Sequence, residues 1–269
     1  MNHPGARPQT EAQRKRSALS PEWDVGDGRA PRLKYAIFSL PRTGSTNLCA
    51  HLRRRGIGVP LEYLGAGSIA ARLGCLDAAG NTPLAPYFEQ LFAKRTTPNG
   101  IFGTTIHPGH LRSFAREDVD AAADFLRTFD RVLALRRRDK VLQAISLVRA
   151  QVTQQFHVFP GETERSVPEE AGNSLFVRIA AELATIVRDE RYMERILARL
   201  DPGKVRGAWY EDVSDSVIDQ IATWMSAGAP PLDPSQQPYA GTLLPRRGNI
   251  QEALDLKRRF LAHVTGQTN

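Results

Sequence analysis

The sequence predicts an α/β protein: a doubly wound, mostly parallel sheet flanked by helices and opening on a P-loop-like turn. Three observations carry this. The apolar run Tyr35-Ala36-Ile37-Phe38-Ser39 fits a strand buried on both faces, and it leads straight into a glycine-containing loop and a helical pattern. Further apolar runs then alternate with helical patterns, the order of a sheet whose parallel strands are joined by helices. The chain has 269 residues, and single cores stop growing near roughly 250–300 residues, so one substantial domain accommodates it.

Residues 1–31 are rich in Pro, Gly, Ser, Gln and charge without periodicity and read as a disordered extension, leaving 32–269 as the domain. The first strand, 35–39, ends at Leu40-Pro41-Arg42-Thr43-Gly44-Ser45-Thr46. A helical pattern follows through Leu48, Cys49 and Leu52 to Arg55 and stops at Gly56. Later strands are predicted over 100–107, 131–135 and 205–210. Helices are predicted over 84–94, 117–129, 140–154, 174–200, 214–226 and 250–263, from apolar residues near helical spacing. Pro108-Gly109 reads as a turn. Ligands of such sheets bind beyond the carboxyl ends of the strands, where residues 41–46 fall.

No apolar stretch approaches the ~18 residues that span a bilayer. Arg14, Lys15 and Arg16 are not followed by an apolar block, so no signal peptide is read and a soluble cytoplasmic protein is expected. Cys49 and Cys75 are too few for a disulfide framework. The net charge of +7 fits a basic tail with solvated helix faces, or a polyanionic partner. No RNP-type aromatic sequence, zinc spacing or helix-turn-helix accompanies the charge, so nucleic acid is not the expected partner. A phosphorylated nucleotide fits better.

The loop after the first strand supports that. A loop feeding a helix N-terminus offers free N–H groups and a positive dipole end. Gly44 permits close backbone approach, Ser45 and Thr46 carry hydroxyls, and Arg42 adds charge. The plain structural alternative is a helix N-cap by Ser45 or Thr46. An ATP or GTP site would read GxxxxGK[ST], with lysine reaching the terminal phosphates. Here Ser45 follows Gly44, no lysine is present, and no glycine stands five residues earlier. Such a loop suits a donor with fewer charges at its reacting end and no metal.

Four segments in order then resemble one family. They are residues 40–46, Gly58-Val59-Pro60-Leu61-Glu62-Tyr63, Thr97-Pro98-Asn99-Gly100-Ile101-Phe102-Gly103, and the run from Arg137-Arg138-Asp139-Lys140 to Ser146, continuing to Arg149-Ala150-Gln151. Together they resemble the bacterial carbohydrate sulfotransferases that use PAPS (3′-phosphoadenosine 5′-phosphosulfate), the group of the trehalose 2-sulfotransferase and the nodulation-factor sulfotransferases. The resemblance implies that Arg42, Thr43, Gly44, Ser45 and Thr46 hold the phosphosulfate, with Arg42 against the bridging oxygen. It implies that Arg137 and Ser146 hold the 3′-phosphate, for which a bidentate arginine is suited. It also implies a carbohydrate or glycolipid acceptor and no metal. Several members form dimers, so a homodimer is a further expectation.

The resemblance offers two candidates for the base that takes the acceptor's proton. Glu62 falls where the carbohydrate enzymes have a glutamate, and burial would have to raise its pKa to make it effective. His107 ends the second strand, as does a base in the cytosolic animal sulfotransferases. Their Lys-x-His pattern reads Thr105-Ile106-His107 here, so the lysine is missing. Glu62 is preferred, and His110 and His157 read as structural or acceptor-side. Tyr210-Glu211-Asp212 resembles a segment after a late strand and is taken as structural, and the basic run 257–259 reads as a solvated helix face. Arg246 and Arg247 fall where members clasp the adenosine phosphates. Segments 65–81 and 156–173 are expected to line the acceptor pocket. The rival readings are a P-loop-type small-molecule or nucleotide kinase and a non-catalytic anion-binding module.

Overall fold

Alternate residues of β1 (Leu33–Ser39) face opposite sides of the sheet, and both sides are apolar: Tyr35 and Ile37 on one, Ala36 and Phe38 on the other, all buried. Such a strand needs cover on both faces. The computed structural model describes residues 20–64, 67–167, 172–226, 229, 232 and 248–266. Within them β1 lies between β2 (Ile101–Ile106) and β3 (Arg131–Arg136), and β4 (Val205–Trp209) pairs with β3. All pairs are parallel, in the order β2-β1-β3-β4.

The helices among the described residues are α1 (Ser45–Arg54), α2 (Gly67–Arg72), α3 (Leu84–Arg95), α4 (Pro108–Ala115) and α5 (Val119–Arg127), followed by α6 (Lys140–Thr153), α7 (Gly172–Leu197), α8 (Asp215–Ser226) and α9 (Ile250–Thr265). Leu48 and Leu52 of α1 with Ile218, Ile221 and Met225 of α8 cover the Tyr35–Ile37 face. The larger core on the other face draws on α3 to α7 and α9, with Phe88, Leu126, Ile145, Ile179 and Phe260 among its buried side chains. No helix among the described residues is long and apolar enough to cross a membrane.

Three stretches differ from the sequence reading. Residues 67–72 form α2 within a stretch read as loop. Pro108-Gly109 opens α4 instead of making a turn: Pro108 takes the first helical position, where an N–H is not needed, and His107 caps it. Within the stretch read as extension, Pro21–Trp23 forms a 3₁₀ turn, Trp23 is buried, and the Gly26 N–H donates to the Lys94 carbonyl at 2.9 Å. A lone Trp among polar residues has no period by which a sequence could announce its burial.

The parallel order brings four strand ends to one edge. The loop 40–44 leaves β1, His107 leaves β2, Arg137 leaves β3 and Tyr210 leaves β4.

Candidate active site

The loop after β1 is held from three sides. The Thr43 hydroxyl donates to the Leu40 carbonyl at 2.9 Å, the Gln143 side-chain amide to Pro41 at 2.7 Å, and Arg137 Nη1 to Arg42 at 3.2 Å. Thr43 thus spends its hydroxyl inward. Arg42 has a φ of 65° and Gly44 of 81°, both left-handed. A Cβ on Gly44 would stand 2.7 Å from the Tyr210 ring, so the close approach this glycine allows is that of Tyr210. Gly44 is also the N-cap of α1. Ser45 and Thr46 are therefore its first helical residues and not its caps. Leu48 makes the bond back to Gly44, so the N–H groups of residues 45–47 lie ahead of the helical ladder and favour an anion.

Two guanidiniums stand over this end. Arg42 Nε donates to Ser146 Oγ at 3.0 Å, and its Nη1 to the Phe156 carbonyl. Arg137 is 8% exposed and lies over the Tyr210 ring at 4.7 Å. Burial lowers both below the usual arginine range, and the charge of Arg137 lowers Arg42 further. Among the described residues neither forms an ion pair. Their neighbours differ: Arg138 pairs with Asp212 at 2.6 Å, and Arg136 approaches Glu194 at 3.9 Å. Among the described residues, Arg137 Nε and Ser39 Oγ, both able to donate, are buried beside this loop without a hydrogen-bond partner. Buried polar groups left unpaired are costly. The arrangement suits an anion with several acceptor oxygens.

Glu62 and His107, weighed as alternatives from the sequence, stand together. Leu61 bridges to Thr104 and its carbonyl accepts the Thr105 N–H at 2.9 Å, which fixes the Glu62 segment along β2. His107 Nε2 then lies 3.2 Å from Glu62 Oε1, and His107 Nδ1–H donates to the Ser39 carbonyl at 2.6 Å. Burial acts to raise the Glu62 carboxyl, but the hydrogen bond and charge of His107 outweigh it and hold it at about 2. The rise that an effective resting base would need is therefore absent. For His107 burial acts downward, while the bond and charge of Glu62 and the Ser39 carbonyl win and raise it. Both shifts favour the carboxylate–imidazolium form of the pair. The position where a lysine was missing, Thr105, is buried against Cys49 with Sγ···Oγ1 at 3.1 Å, and supplies no cation.

Three further residues belong here. His110 Nδ1 accepts the His107 backbone N–H at 3.2 Å, and burial, with the His107 charge, lowers its pKa to about 4. The spacing of His107 and His110 as N-cap and third residue of α4 was a readable signal. Gln143 lies one helical turn before Ser146, so both meet the loop from one face of α6. His157 is exposed and acts electrostatically on both Arg42 and Glu62. Glu211 accepts the backbone N–H groups of Arg138 and Asp139, a structural duty. Of the run 257–259, Lys257 reaches Asp139 at 2.6 Å. Arg246 and Arg247 lie outside the described residues. Among the described residues, no group of three or more His, Cys, Asp or Glu is set to hold a metal ion.

No curated protein matches the chain. A family model described as Stf0 sulphotransferase matches residues 34–226.

Proposed function

The chain belongs to the Stf0 sulphotransferase family, and from that membership we propose that it moves a sulfuryl group from PAPS to a hydroxyl of a carbohydrate or glycolipid. The observation that carries the donor is the pair of guanidiniums, Arg137 buried and Arg42 half-buried, without ion pairs among the described residues, at the amino end of α1. Arg137 and Ser146 take the 3′-phosphate. The first turn of α1 and Arg42 take the phosphosulfate. Arg42 Nη2 has no hydrogen-bond partner among the described residues, which leaves it to neutralise charge growing on the leaving phosphate oxygen.

Glu62 accepts the acceptor's proton while the acceptor oxygen bonds to sulfur and the sulfur–phosphate oxygen bond breaks. A carboxylate held at about 2 is a weak base towards a resting alcohol. It serves once bonding to sulfur has made the hydroxyl acidic, so the proton moves late. His107 holds the carboxylate in place, and the proton then leaves Glu62 for water. No metal enters this reading. Phe156, 44% exposed next to the carbonyl that Arg42 binds, offers a ring face of the kind that sugars pack on, and supports a carbohydrate acceptor. The two free cysteines support a cytoplasmic setting, and a homodimer remains the expected assembly.

A panel of sugars and glycolipids incubated with sulfur-labelled PAPS tests this. Label should move to at least one hydroxyl acceptor, and Glu62→Gln should slow transfer by about 10²–10⁴-fold. Label that never leaves PAPS for any sugar, while PAP (the desulfated product) still binds, would favour the non-catalytic module.

A further inference from the structure

Trp23 and Asp24 precede the residues matched to the family, 34–226, yet each reaches one flank of Glu62. The buried Trp23 ring lies under the Arg53 guanidinium at 5.1 Å, and Arg53 Nη1 donates to the Pro60 carbonyl at 3.1 Å, two residues before Glu62. The Asp24 carboxylate pairs with Arg95 Nε at 2.8 Å. Arg95 is fully buried and lies over the ring of Tyr63 at 5.7 Å, the residue after Glu62. Arg95 Nη2 also donates to the Ser20 carbonyl at 3.1 Å. Trp23 packs on Val59, whose carbonyl accepts the Tyr63 hydroxyl at 2.6 Å. Two arms thus close a frame around residues 59–63.

Glu62 needs such a frame. Its side chain is 51% exposed, and a half-exposed glutamate has considerable rotamer freedom to lose in one geometry. The arms are made of buried cations and a buried ring, which hold their places better than surface pairs do. We propose that Trp23 and Asp24 are positioning residues: through Arg53 and Arg95 they fix the backbone on both sides of Glu62, so that its carboxylate stays against His107. The consequence for turnover rests on the reading of Glu62 as proton acceptor. The geometric claim does not.

Both claims have separate readouts in the full chain. His107 is faced by Glu62, by His110 and by the Ser39 carbonyl, and Glu62 by His107 and, electrostatically, His110 and His157. NMR titration of the His107 ring proton reports the first contact without any acceptor. Trp23→Leu keeps apolar bulk but removes the ring face, and Asp24→Asn removes only charge. Each should lower the His107 midpoint by about half a pH unit or more, toward that of Glu62→Gln. Trp23→Phe should restore it. With labelled PAPS and the acceptor from the panel, kcat should fall by about tenfold while PAP affinity stays within about twofold. A folded Trp23→Leu or Asp24→Asn protein with unchanged His107 midpoint and kcat would overturn the inference. So would an equal loss of PAP affinity, the mark of general loosening. The two arms run through different arginines, so a variant that fails to fold leaves the other to decide. Full turnover by Glu62→Gln would instead overturn the proton-acceptor reading, with the titration still judging the frame.

Discussion

Glu62 and His107 hold each other in opposite charge states, and that sets a pH window for the stability they supply. The Glu62 carboxyl sits at about 2 against an ordinary 4.5, so its contribution is full above about 4.5 and is lost as pH falls through the folded value. His107 is raised above its ordinary 6.5, so its contribution is full below 6.5 and fades as pH rises through the raised value. Both act in full together between 4.5 and 6.5. Thermal unfolding of the native protein and of Glu62→Gln should differ most inside that window, with the gap closing on either side. Because Glu62 is half-exposed, the pair is worth up to about 1 kcal/mol, or about 2–4 °C in Tm for a chain of this size. A gap independent of pH would show that the two groups do not share a proton. In turnover the same replacement should lower kcat and leave PAP binding within about twofold, since Glu62 touches no group assigned to the nucleotide.

The element on which the proposed donor site rests is the turn from β1 into α1. Gly44 is required there twice, by its left-handed φ of 81° and by the Tyr210 ring 2.7 Å from where a Cβ would stand. Gly44→Ala should therefore cost about 1–3 kcal/mol and weaken PAP binding, measured by thermal unfolding and calorimetry. An alanine protein with native stability and affinity would mean the turn is looser than drawn. This element was largely legible in the sequence, because strand, glycine loop and helix are local patterns: Arg42, Gly44, Ser45 and Thr46 could be read directly. Its supports were not. Gln143, Arg137 and Tyr210 come from α6 and the ends of β3 and β4, and no local period encodes which distant side chain seals a loop. The union of Glu62 with His107 was hidden for the same reason, since it depends on Leu61 bridging to Thr104 across β2. The start of α4 escaped because Pro108-Gly109 has turn chemistry and helix-start chemistry at once.

At the scale of the whole molecule, the sheet order gathers the ends of β1, β2, β3 and β4 at one edge, so the turn from β1 into α1 and the Glu62–His107 pair share a floor. The sequence carried the alternation of strands and helices and hence the parallel class. It did not carry the order β2-β1-β3-β4, which follows from how crossovers pack, nor the folding-back of residues 20–26 onto α3. The net charge of +7 is in keeping with an anionic donor, and PAP affinity should fall with added salt as the fields of Arg42 and Arg137 are screened. The most direct test of the account is calorimetric titration of the protein with PAP and, separately, with ATP and magnesium. PAP should bind at least about tenfold more tightly, and Arg137→Met should erase most of that advantage through loss of one charge-assisted contact of about 1.5–3 kcal/mol. ATP with magnesium binding as well as PAP, or Arg137→Met binding PAP as the native protein does, would contradict it.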